Sequence, residues 1–143
     1  MIRSTAVRTV AAPPDQVWGV LADHEGMRTW VPGLRVAVTR PGTSETGGVG
    51  TVRKVGFGIA GPIVEEVVAF EPGRRLGYRA LAGVPLKDYR GEVVLSPAGA
   101  GTEIRYTVEA EQRLPFGEAL LVRGLAAGLL SGLVRGVRAG GVR

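Results

Sequence analysis

Residues 102–138 read TEIRYTVEAEQRLPFGEALLVRGLAAGLLSGLVRGVR. In the first ten, Ile104, Tyr106, Val108 and Ala110 alternate with Glu103, Arg105, Thr107, Glu109 and Glu111. A period of two with one apolar and one charged face predicts a half-buried strand in an antiparallel sheet. After Leu114-Pro115 the period changes. Leu121, Leu125, Leu129, Leu133 and Val137 recur every fourth residue, as do Gly124, Gly128, Gly132, Gly136 and Gly140. This predicts one long helix over about 116–138. Glu118 near its start and Arg135 and Arg138 near its end suit the helix dipole. Four residues advance a helix by about 400°, so each stripe drifts by about 40° per step. Such a spiralling apolar face suits a helix laid across a twisted sheet.

Upstream, short strands follow one another with tight turns. A strand at 2–11 precedes Pro13-Pro14-Asp15, where proline and an acidic residue suit a first helical turn. Val17, Trp18, Leu21 and Ala22 then mark a short helix at 14–22, and a second is expected at 25–31, stopped by Pro32-Gly33. Strands are expected at 34–38, 49–57, 62–70, 75–81, 87–96 and 102–111. Polar or glycine- and proline-rich turns separate them at 40–48, 58–61, 71–73 and 97–101. The fold class is therefore α+β: strand, two short helices, six strands, then the long helix. The sheet has about seven antiparallel strands, and residues 1–143 make one domain.

Composition narrows the chemistry. With no cysteine in 143 residues, disulfides, thiolate metal sites and cysteine nucleophiles are excluded, and a cytoplasmic protein is expected. One histidine, His24, excludes histidine-rich metal sites. No metal spacing, phosphate loop or cofactor fingerprint occurs, so no metal or cofactor is expected. The net charge is +5, but the cations are scattered, and all except Lys54 and Lys87 are arginine. That bias, with 23 glycines, matches high-GC bacterial coding and gives no nucleic-acid-binding run. Glu118 and Arg123 interrupt the apolar stretch 116–134, so no integral membrane segment is expected.

The chain resembles the START-like, polyketide cyclase/dehydrase and lipid transport group (the SRPBCC superfamily). The residues that carry the likeness are Ala12-Pro13-Pro14-Asp15-Gln16-Val17-Trp18 with Leu21-Ala22-Asp23, and then Trp30-Val31-Pro32-Gly33. Phe70-Glu71-Pro72-Gly73-Arg74-Arg75-Leu76 and Gly101-Thr102-Glu103-Ile104 follow in the same order. The resemblance spans about residues 3–138. It implies a helix-grip fold, with a curved sheet wrapped around the C-terminal helix and an apolar cavity between them. Its members include polyketide cyclases, lipid carriers and coenzyme Q-binding proteins, so fold alone does not choose a function.

Within that frame the expected cavity lining is Leu76, Tyr78, Tyr89, Val93, Leu95, Ile104 and Tyr106 from the sheet. Leu121, Leu125 and Leu129 join from the helix, with Trp30 at the mouth. Alternation puts Asp88 outside. Arg53-Lys54 and Glu65-Glu66 lie on neighbouring strands, so regular pairing sends one cation and one carboxylate inward. With the turn centred near residue 59, Arg53 faces Glu65. A dry, unpaired carboxylate there would be a general acid or base, and a paired one a fixed anchor for a ligand. A bulge turning both charges outward is the alternative. Glu65, Glu66, Arg53 and His24 are thus the catalytic candidates, although the expectation for His24 is an exposed residue at a helix end. Three functions follow. The chain could bind an apolar small molecule (lipid, polyketide or isoprenoid-like), or it could be a polyketide cyclase/dehydrase closing rings by aldol chemistry and dehydration. It could also be a protein-interaction module whose glycine-rich helix packs on a partner, including a second copy as a homodimer.

Overall fold

A computed structural model describes residues 1–31, 34–42, 48–57, 60–84, 86–112 and 117–140. The expected turn at 43–47, the Pro32-Gly33 stop, residues 58–59 and the Leu114-Pro115 helix start lie outside the described residues. The elements run β1 (Ile2–Val10), α1 (Pro14–Leu21), α2 (Met27–Trp30), β2 (Leu34–Arg40), β3 (Val52–Phe57), β4 (Ala60–Glu71), β5 (Arg75–Ala82), β6 (Lys87–Ala98), β7 (Gly101–Glu111) and α3 (Glu118–Gly140). The seven strands form one antiparallel sheet in the order β1-β7-β6-β5-β4-β3-β2. Each neighbour from β2 to β7 is joined by a short connection. β1 pairs with β7 because the two helices carry the chain from one edge of the sheet to the other.

Register shifts interrupt four of the strand pairings, among them β4 with β5 at Val64/Glu65 and Val67/Ala69. Extra residues of this kind bend a strand and increase its twist, which curves the sheet. α1 opens with Pro14 at its first position and Asp15 in its first turn, as the sequence predicts. Thr102 Oγ1 donates a 2.6 Å hydrogen bond to the carbonyl of Ala12, tying β7 to the turn between β1 and α1.

α3 packs chiefly on β1 and β7, with α1 and α2 against its flank. Its buried stripe differs from the predicted one. Val122, Ala126, Leu130, Leu133, Val134 and Val137 are buried, Leu125 and Leu129 are half-buried, and Leu121 is 43% exposed. In the first half of the helix Val122 and Ala126 take the buried positions, one residue on from Leu121 and Leu125, whereas Leu133 and Val137 are buried as predicted. α3 is long and apolar enough to cross a membrane by length and composition, yet its buried stripe is the core of this domain.

Four of the five glycines of α3 divide into two pairs. A Cβ at Gly132 would come within 2.7 Å of the Trp30 carbonyl oxygen, and one at Gly136 within 2.8 Å of the Trp30 Cβ. These two glycines therefore let α2 seat directly on the helix. Gly124 and Gly128 face open space.

Candidate functional site

The hairpin β3–β4 pairs Arg53 with Glu65 and Lys54 with Val64. Arg53 and Glu65 point inward and are 3% and 6% exposed. The bulge at Val64/Glu65 therefore does not turn the charges out. Lys54 is exposed. Glu66 is on the outer face, where its carboxylate meets Arg40 at 3.0 Å and Arg79 at 2.8 Å. Glu66 consequently leaves the set of candidate site residues.

The inward pair is the centre of a polar cluster. Arg53 Nε donates to Glu65 Oε1 at 2.9 Å, and Arg53 Nη1 lies 3.0 Å from His24 Nδ1. A guanidinium can only donate, so Nδ1 accepts and the imidazole is neutral, with its proton on Nε2. His24 is buried at 4% exposure, not exposed as its place between the short helices suggests. The reason is geometric: the α1–α2 connection folds over β3, and Arg53 offers the ring an inward partner. Asp23 accepts from the Gly26 N–H at 3.1 Å and closes this turn locally.

The Arg53 guanidinium also lies over the Tyr78 ring, 4.9 Å from its centre, within cation–π range. Tyr78 and Tyr106 share a 2.9 Å hydrogen bond between their hydroxyls. The Tyr89 ring is 6.3 Å from that of Tyr78. Gly91 sits opposite Tyr78 in the β5–β6 ladder, and the Tyr78 ring occupies the space a Cβ at 91 would take. Asp88, in the left-handed region at φ 51°, is exposed beside the buried Tyr89, as alternation predicts.

Burial opposes the Arg53 charge, but Glu65 first and then the Tyr78 and Tyr106 hydroxyls outweigh it, so its pKa rises. Burial pushes Tyr89 up to about 12 and Tyr78 and Tyr106 well above the ordinary phenol value. The phenols are therefore neutral donors and acceptors at any physiological pH.

The remaining predicted residues lie elsewhere on the inner face. Leu76, Val93, Leu95 and Ile104 are at most 2% exposed and join the apolar core with the buried stripe of α3. Trp30 is buried between α2 and Gly132 and Gly136, and does not stand at an open rim. Its Nε1, like Thr51 Oγ1, is buried without a hydrogen-bond partner among the described residues. Two clefts lie outside the Arg53–Glu65–His24 group. One, of about 340 Å³, opens on the outer face of the sheet between Arg75, Arg79, Arg90 and Glu92 and is also lined by Tyr78 and Gly91. The other, of about 500 Å³, lies between the β1–α1 turn and the end of α3.

Sequence and structural comparisons fit this arrangement. The family model described as polyketide cyclase / dehydrase and lipid transport matches residues 1–140. The chain belongs to that family. Among solved structures, Ara h 8.0201 is similar at 17% identity and a TM-score of 0.73, covering 96% of this chain and 97% of its own. TTHA0849 from Thermus thermophilus is similar at 23% identity and a TM-score of 0.72, again over 96% and 97%. DynU16, a putative protein in the dynemicin biosynthetic locus, matches at 21% identity and a TM-score of 0.75. That match covers 98% of this chain and 48% of DynU16. Likeness at these identities shows the fold, here a helix-grip fold, and membership of a polyketide cyclase/dehydrase and lipid transport type of family is consistent with a hydrophobic ligand-binding fold. Among curated proteins no sequence match was found.

Proposed function

We propose that this single domain binds an apolar small molecule, lipid-, polyketide- or isoprenoid-like, on the inner face of β3–β5. The polar end of the molecule is held by the Arg53–Glu65–His24 cluster and the Tyr78–Tyr106 pair. One observation carries the reading: the Arg53–Glu65 ion pair and the Tyr78 phenol are buried on β3–β5, away from the strands on which α3 chiefly packs, and Tyr78 reaches across to the Tyr106 hydroxyl of β7. A buried ion pair is a poor source of stability compared with apolar residues of the same volume. A fixed set of donors on a mostly apolar surface is what an oriented small-molecule site requires. Tyr89, whose ring lies 6.3 Å from that of Tyr78, extends the surface beside the cluster. The absence of cysteine accords with a cytoplasmic setting.

The cyclase/dehydrase alternative needs a group free to move a proton. Glu65 is held by Arg53, and His24 Nδ1 already accepts from it, so the same cluster favours binding over turnover. The interaction-module alternative loses two of its glycines, because the space beside Gly132 and Gly136 is occupied by Trp30.

Native mass spectrometry of freshly purified protein tests the reading. A co-purified apolar molecule, lost on Arg53→Gln substitution, is the expected result. Protein that carries no adduct and takes up none from a lipid and polyketide extract would overturn it. Turnover of a poly-β-ketone chain that disappears in Glu65→Gln would move the assignment to the cyclase.

A further inference from the structure

The cleft on the outer face of the sheet is built over two small residues. Its floor includes Gly77 on β5 and Ala69 on β4, which pair in the ladder. The fit is close: a Cβ at Gly77 would come within 3.1 Å of the Ala69 Cβ. The floor there rises no higher than a methyl group. Val68, which the β4–β5 register skips, stands 46% exposed at its edge. Arg75, Arg79, Arg90, Glu92, Thr107 and Glu109 wall the space of about 340 Å³.

The charged walls are unevenly paired. Glu92 meets Arg75 at 2.8 Å, and Glu109 meets Arg3 at 3.2 Å. Arg79 donates to Glu66 through Nε at 3.0 Å and Nη2 at 2.8 Å. The Arg90 guanidinium has no ion pair or hydrogen bond among the described residues. In the β5–β6 ladder Arg90 lies directly opposite Arg79, and like charges so opposed are destabilising. Across β6–β7 it lies opposite Glu109, whose carboxylate is bonded to Arg3. One cation in the cleft is thus uncompensated, beside a second cation and above a flat floor with an apolar edge.

We infer that this cleft is a second ligand site, which takes the carboxylate of a small, flat organic acid on Arg90. A guanidinium and a carboxylate match through two parallel N–H···O bonds. The one uncompensated cation accepts one negative charge. Glu92 and Glu109 oppose a second, so the dianion of a phosphate monoester is the poorer ligand. The volume, near the lower end for small-molecule sites, limits the body to a few rings. The site shares no residue with the Arg53–Glu65–His24 group and stands or falls without it.

NMR titration of the nitrogen-15-labelled full chain at pH 7.5 tests the inference. The probes are 2-naphthoate, its neutral counterpart 2-naphthamide, and 2-naphthyl phosphate. The carboxylate is expected to shift the amides of Gly77, Arg90 and Thr107, and to bind about tenfold more tightly than 2-naphthamide. The phosphate is expected to bind less tightly than the carboxylate. Arg90→Gln should weaken 2-naphthoate about tenfold, and Arg90→Lys, which keeps the charge but not the fork, should recover only part of that loss. Arg105→Gln, at an exposed position of β7 outside the cleft, should leave the affinity within about twofold. Arg90 is exposed, so its variants are expected to fold, as the rest of each spectrum checks. Equal affinity for 2-naphthamide, tighter binding of the phosphate, or an unchanged affinity in Arg90→Gln would overturn the inference. Shifts confined to the amides of His24, Arg53 and Glu65 would overturn it too, because the acid would then occupy the inner face and not this cleft. So would the absence of any shift at about 10 mM 2-naphthoate, weaker than any specific site of this kind.

Discussion

The two halves of the sheet's inner face are built on opposite rules. Under α3, β7 presents Ile104, Tyr106, Val108 and Ala110, all fully buried, and only Tyr106 among them carries a polar group, turned to meet Tyr78. On β3, β4 and β5 the buried positions hold Arg53, Glu65 and Tyr78 beside Val67 and Leu76, and the charged pair is almost as deeply buried. The first half is a core in the ordinary sense, where close packing supplies the stability. The second half buries groups that contribute less to stability than aliphatic side chains of equal volume would. Equal burial with unequal chemistry is the ground on which the second half is proposed as the binding half.

The contrast breaks most visibly at the ion pair. Arg53→Met strands the Glu65 carboxylate in the interior and should cost about 3–5 kcal/mol in urea unfolding. Arg53→Met/Glu65→Leu should recover most of that loss. If the single and double variants are equally unstable, the polar half is structural after all. In the apolar half, Leu133→Ala should cost about 2–5 kcal/mol by the same measurement, and no second truncation nearby should rescue it.

The phenols sharpen the comparison at high pH. Tyr89 rises from 10 to about 12 on folding, so the unfolded chain releases its proton first. Its contribution is complete below pH 10 and is lost as the pH climbs towards 12, about 3 kcal/mol in all. Tyr78 and Tyr106 act in the same direction. Absorbance at 295 nm should therefore show no tyrosine ionisation near pH 10 in the folded protein, with alkaline unfolding accompanying the titration.

Smaller effects separate the inside of each half from its outside. Gly136→Ala, against Trp30, should destabilise by about 1–3 kcal/mol in thermal unfolding. Gly124→Ala, facing open space, should stabilise by about 0.5–1 kcal/mol. Glu66→Gln, on the outer face with Arg40 and Arg79, should change stability by less than about 1 kcal/mol, whereas its neighbour Glu65 is held within the interior.

The antiparallel run of strands and the pairing of Arg53 with Glu65 are legible in the sequence because a period of two and a turn centre fix register, whereas the pairing of β1 with β7 has no local turn to announce it. The burial of His24 is not, since it lies in a connection with no periodicity, and only the tertiary position of Arg53 draws it inward. Over its first half the buried face of α3 differs from the leucine stripe by one residue, about 100°, while Leu133 and Val137 are buried as expected. Leucines at 121, 125 and 129 advertise apolarity, but Val122 and Ala126 are the buried positions there, and their small side chains carry a weaker signal. Gly91 offers a clue of another kind, since a glycine inside a strand often marks close approach by another group, here the Tyr78 ring.

That glycine has a consequence for how relatives of this chain can diverge. The phenol of Tyr78 reclines in a berth left vacant on the adjacent strand, so its hydroxyl is aimed by a residue with no functional group of its own. Replacing Gly91 with even a methyl-bearing residue would evict the ring and uncouple it from Tyr106, with every chemically active side chain still present. Head-group preference can thus drift through position 91 while the reactive residues stay the same.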